Sequence, residues 1–91
     1  MRFEWDEDKA SANVRKHGVA FEQAIKVFED PDAIEIVDDE HSADEVRFAT
    51  IGSVGPALLY VVFTSRGDAV RIIHARGADR RMKRLYEKER R

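Results

Sequence analysis

Apolar positions along the chain change their period twice, and the changes divide it into helices, a sheet and a last helix. Phe3-Glu-Trp5 is a short strand-like entry. Asp6 then reads as a helix N-cap, with Glu7 and Asp8 in the first turn, where negative charge suits the helix dipole. That helix runs to about His17 and stops at Gly18. Phe21, Ala24, Ile25 and Phe28 recur at the spacing of one helix face, so a second helix follows, poorly capped by Ala20 and ended by Pro31. From Ala33 the period shortens to two. Ala33–Val37 and Val46–Ser53 are alternating, β-branched runs joined by the acidic loop Asp38–Glu45. Gly52, Gly55 and Pro56 mark a turn. Ala57–Ser65 is apolar on both parities, the pattern of a central strand covered on both faces. Arg66-Gly-Asp68 turns tightly into Val70–Arg76, which makes a hairpin. Asp79 can cap a final helix from Arg80 to about Glu89, with Met82 and Leu85 as a thin apolar stripe and Tyr86 one turn on from Met82. The expected fold is α+β: a mostly antiparallel sheet with two N-terminal helices and one C-terminal helix.

Size narrows the picture to a single domain spanning residues 1–91, with a thin core and no repeat or linker. The chain has no cysteine, which excludes disulfides and thiolate metal sites and suits a reducing compartment. No apolar run approaches the roughly 20 residues that span a bilayer, and the N-terminus lacks the apolar centre of a signal peptide. A soluble, cytoplasmic protein is expected.

Charge changes the picture more. The net charge of −2 hides two opposed segments. Residues 29–45 hold nine acids and no Lys or Arg, whereas residues 66–91 hold ten cations against four acids. Such a chain presents a dipolar surface, unless the acidic segment folds back onto the basic one. The stretch Arg71-Ile-Ile-His-Ala-Arg76 places cations and an imidazole on an otherwise apolar strand, and Arg80, Arg81, Lys83 and Arg84 follow directly. A polyanion is the natural partner, because guanidinium groups form forked hydrogen bonds with phosphate oxygens.

Taken in order, Phe3-Glu-Trp-Asp6, Lys9, Asn13, Lys16-His-Gly18, Phe21, Ala24, Phe28-Glu-Asp30, Glu45, Arg47, Arg71-Ile-Ile-His-Ala-Arg76, Ala78 and Tyr86 resemble the BrnT family of toxins over nearly the whole chain. No single piece is specific; the set is. The resemblance implies a bacterial type II toxin with a RelE-like fold, acting on RNA as a ribonuclease that needs no metal or other cofactor. It also implies a BrnA-like ribbon-helix-helix antitoxin that caps the toxin. The chain departs from the family pattern at two positions: His74 stands where Ser is usual, and Met82 where Glu is usual. The first change could add an acid–base group; the second removes half a helix cap and weakens any role for that Glu in positioning a catalytic Arg.

Metal-free RNA cleavage needs a base for the 2′-hydroxyl, cations for the pentacoordinate phosphate and an acid for the leaving 5′-oxygen. Arg47, Arg71 and Arg76 are the candidate phosphate ligands, with Arg66 a fourth, although an Arg at a strand end is often only a solvated cap. His74 is the candidate acid or base, since imidazoles ordinarily titrate near 6.5, against the bland reading of a hydrogen-bonded core group. Simple alternation sets His74 and Arg76 on one face with Val70 and Ile72 and turns Arg71 the other way, so twist, a bulge or curvature must bring the two arginines together. Lys9, Arg80, Arg81 and Arg84 are candidate grips on the RNA backbone. Lys16 and His17 are accounted for by the helix dipole; Lys9, in the first turn, is not, and contact with a phosphate or the acidic loop would explain it. Trp5 either stacks on a base or, the default, packs across the sheet. The cluster Asp38-Asp39-Glu40-His41 with Asp44 and Glu45 lacks the ligand spacing of a calcium loop and reads as solvated, with no metal expected; Glu45 could instead partner an Arg or act as a base. A second class of function is a non-catalytic module that binds nucleic acid or an antitoxin. Exposed strand edges further suggest a homodimer or a toxin–antitoxin heterotetramer.

Overall fold

The computed structural model describes residues 1–38 and 45–90. Strand β1 (Arg2–Glu4) precedes helix α1 (Glu7–His17) and helix α2 (Phe21–Ala24), which tightens into a 3₁₀ segment, Ile25–Glu29. Strands β2 (Ile34–Val37), β3 (Phe48–Val54), β4 (Ala57–Arg66) and β5 (Ala69–Gly77) follow, and helix α3 (Arg80–Glu89) ends the fold. The sheet order is β1-β5-β4-β3-β2, antiparallel throughout except where β1 lies parallel to β5. This is the α+β architecture with a mostly antiparallel sheet, and β4 is its central strand. No helix among the described residues is long and apolar enough to cross a membrane. The acidic cluster of the 38–45 loop falls mainly outside the described residues.

Helix α1 forms as its caps dictate. The Asp6 carboxylate accepts from the Asp8 and Lys9 amides, and Gly18 closes the other end in the left-handed region at φ 69°. The second helix departs from expectation. Ala20 offers no side-chain cap, and only four residues are α-helical before the turn tightens. The tightening brings Val27 against β3 at Gly52, where a β-carbon would lie 3.0 Å from the Val27 β-carbon. A side chain at 52 would force that segment to give by a few tenths of an ångström.

The two parities of β4 bury into two different layers. Leu59, Val61 and Phe63 pack with Ala10, Phe21, Ala24, Val27 and Ile72 beneath α1 and α2. Phe28 meets the Phe63 ring edge-on at 5.1 Å, and Trp5 meets Phe21 at 5.9 Å. Trp5 therefore packs against the core. On the other face, Tyr60 and Val62 join Ala49, Ile51 and Tyr86 beneath α3.

The β4–β5 hairpin contains the one irregularity that matters for chemistry. Phe63 pairs with Ile72, yet Val62 pairs with His74, so Ile73 is an extra residue in the ladder. The bulge corrects simple alternation. Val70 and Ile72 pair with Ser65 and Phe63, whereas Arg71, His74 and Arg76 pair with Thr64, Val62 and Tyr60. Residues directly opposite share a face. All three charged positions thus fall on the parity of β4 that faces α3, and the requirement that a bulge reconcile Arg71 with Arg76 is met.

Candidate functional site

Built outward from β4, the face toward α3 carries a stripe of cations. Arg76 stacks over the Tyr60 ring, its guanidinium carbon 4.9 Å from the centroid. The Tyr60 hydroxyl donates to Oδ2 of the buried Asp38 at 3.4 Å, and the Asp38 amide donates to the Arg47 carbonyl at 2.8 Å. His74 lies two pairs further along, at Val62, and Arg71 two beyond that, at Thr64. Arg47 directly precedes the Phe48–Phe63 pair, which sets it level with Thr64 on the other side of β4. Arg66 continues the same parity, exposed beside the hairpin turn. From Tyr60 to Arg66 the strand covers about 20 Å at roughly 3.3 Å per residue. One phosphate cannot meet every cation on such a stripe; a run of RNA backbone can.

Two partners already engage parts of it. Arg71 Nη1 donates to Glu4 Oε2 at 3.0 Å, a pair with side-chain exposures of 25% and 35% that also ties β1 to β5. A phosphate reaching Arg71 must compete with that carboxylate. Arg76 sits on the π-face of Tyr60, a contact that attracts a cation without neutralising it.

The remaining candidates divide. Lys9 is brought to His74 by a cleft of about 200 Å³ between α1 and β5, which Asn13, Lys16 and His17 also line. Arg81 shares a cavity of about 250 Å³ with Tyr60, Ile36, Ile51, Met82 and Leu85. Arg80 and Arg84 are exposed along α3, and no described contact draws them to the stripe. Sequence reasoning passed over Tyr60, whose signal was a hydroxyl-bearing ring inside an otherwise apolar central strand. It also gave Asn13 no role. The Asn13 amide donates to the Ala75 and Val19 carbonyls at 2.8 and 2.9 Å and accepts from the Ala75 amide at 3.1 Å. It completes the β5 edge just past His74.

Helix α3 is held over the sheet by a carboxylate. Asp30 accepts from the Asp32 amide at 2.9 Å, the Ser53 amide at 2.8 Å and the Tyr86 hydroxyl at 2.6 Å. Burial alone would raise the Asp30 pKa, but the Tyr86 hydroxyl, the two amides and the Arg90 charge together hold it below the usual carboxylate range. The same bond, followed by burial, pushes the Tyr86 phenol up to about 12. Arg90 Nε also lies 3.4 Å from Asp32 Oδ2. The first acids of the acidic segment therefore do fold against the basic C-terminal helix.

The described residues thus form a small α+β domain whose sheet carries Arg71, His74 and Arg76 on one parity, beneath a basic helix. Over residues 5–81 the chain matches the family model described as "Ribonuclease toxin, BrnT, of type II toxin-antitoxin system", and it belongs to that family. A type II system pairs such a toxin with an antitoxin. No curated protein matches the chain.

Proposed function

We propose that this protein is a metal-independent endoribonuclease of RelE-like fold that arrests translation by cutting RNA. The single observation that carries the reading is the bulge at Ile73, which sets Arg71, His74 and Arg76 on one parity of the sheet. Arg71 and Arg76 flank His74, each two β4 pair positions away. In the proposed reaction RNA lies along this face. Arg76, with Arg47 and Arg71, binds phosphate oxygens and stabilises the extra negative charge of the pentacoordinate state, which is commonly the largest catalytic contribution. His74 transfers a proton. Arg66 and Lys9 grip the backbone on either side, while Arg81 and, further out, Arg80 and Arg84 extend the basic surface along α3.

The partner follows from the same reading: a BrnA-like ribbon-helix-helix antitoxin covers this face, in a toxin–antitoxin heterotetramer, within the cytoplasm. The test is RNA cleavage by purified wild-type protein and by Arg76→Ala, without antitoxin and with a chelator present. Arg76→Ala is expected to cleave about 10²- to 10³-fold more slowly, the loss typical of removing one transition-state donor. Equal cleavage by the two proteins would take Arg76 out of the mechanism, and cleavage abolished by the chelator would end the metal-free reading.

A further inference from the structure

Strand β1 runs beside β5 only as far as the Glu4–Arg71 pair, so the edge of β5 beyond that point is met by α1 instead. Asn13 closes that edge at Ala75. Immediately before it, Ile73 and His74 line the cleft of about 200 Å³ with Lys9, Ala12, Asn13, Lys16 and His17. The helix positions recur at i, i+3, i+4, i+7 and i+8, which is one face of α1. The His17 and His74 rings meet edge to face, 4.8 Å between centroids and 85° between planes. Two lysines and two imidazoles line the cleft. The helix dipole accounts for His17 and Lys16 by themselves. It accounts neither for Lys9 at the opposite end of α1 nor for one imidazole set against another.

We infer that this cleft seats the phosphodiester being cut, and that His17 is a second catalytic imidazole working with His74. The inference rests on the ribonuclease reading and adds to it a subsite and a residue. The chemistry balances with two imidazoles of opposite protonation. The neutral ring takes the proton of the RNA 2′-hydroxyl as the 2′-oxygen attacks phosphorus. The bond from phosphorus to the 5′-oxygen breaks, and the protonated ring gives its proton to that oxygen. The products are a 2′,3′-cyclic phosphate and a 5′-hydroxyl, and the two rings have exchanged protonation states, which solvent restores. Lys16, with Lys9 where the backbone enters the cleft, adds to the charge that the arginines bring to the non-bridging oxygens, and no oxidant, reductant or metal is required.

The test pairs a binding arm with an activity arm. Inorganic phosphate is titrated into the wild-type protein while histidine ring protons are followed by NMR. The ring signals of His17 and His74 are expected to move together with one saturation curve, and Lys16→Ala is expected to weaken it several-fold. Movement confined to amides of α3, with the two rings still, would overturn the subsite. In the activity arm, His17→Ala is expected to cut RNA at least 100-fold more slowly than wild type, to retain its thermal midpoint, and to regain part of its rate with added imidazole. A wild-type rate in His17→Ala would overturn the role of His17 while leaving the ribonuclease reading intact. A wild-type protein that cuts no RNA would remove that reading and His17's catalytic role with it, and the phosphate titration would still decide the subsite.

Discussion

Asn13 shows how much one side chain can carry. A buried amide in mid-helix is a poor helix residue, yet here it satisfies both backbone groups of Ala75 and the carbonyl of Val19. Replacing it with Ala leaves those groups buried and unpaired, at about 1–3 kcal/mol each before any water enters. Asn13→Ala should therefore lose roughly 2–4 kcal/mol in urea denaturation; a loss below about 0.5 kcal/mol would show that the β5 edge does not depend on it. Glu4 gives a second residue-scale prediction, of opposite sign for function. Glu4→Gln removes the carboxylate that competes for Arg71, so RNA should bind several-fold tighter by fluorescence anisotropy, and weaker binding would mean that Glu4 positions Arg71 for the phosphate. Neither role was legible in the sequence, because each depends on a partner more than 60 positions away. Asp6 and Gly18 were legible, since a cap acts on its own neighbours.

Among the elements, α3 is the one whose placement rests on a few specific contacts. Met82 and Tyr86 supply its apolar face, and the Tyr86 hydroxyl ties it to Asp30. A hydrogen bond to a charged group is worth about 1.5–3 kcal/mol, so Tyr86→Phe should lower stability by roughly that amount and loosen α3 first, as faster amide exchange confined to residues 80–90. Uniform exchange across the protein would contradict this. The acid limb follows from the same carboxylate. Its folded pKa lies below the ordinary 3.8, so the unfolded chain binds more protons as pH falls. The stabilisation is complete above about pH 5 and is lost as pH drops through the folded value. Asp30→Asn should flatten that part of the stability–pH curve, and an unchanged slope would move its origin elsewhere. The strand pattern gave the sheet well, with Ala57–Ser65 read as central because both parities were apolar. Alternation failed at Ile73, since a bulge is set by how β5 must meet β4 and α1, and no residue in Arg71–Arg76 announces it.

At the scale of the molecule, the opposed charge segments become a surface with a direction: the acids at 30 and 32 meet α3 and its C-cap, and the arginines of β4 and β5 share one parity of the sheet. Single-stranded RNA binding should lose affinity steeply with salt, with a slope of log K against log salt near −3 if about four phosphates are neutralised, at about 0.7 per contact. A slope near zero would show that backbone charge does not drive binding. The candidate site was half legible: its residues stood out as cations on apolar strands, but the face that Arg71 and Arg76 share was set by the bulge. A common role for the two arginines is tested most directly by the rates of RNA cleavage in Arg71→Ala, Arg76→Ala and the double variant, each shown to be folded. Groups acting on one reaction are expected to be non-additive, with each single change slowing cleavage at least 100-fold and the double falling far short of the product. Small, independent losses that simply multiply, or cleavage untouched by either change, would mean that these arginines do not serve a common site.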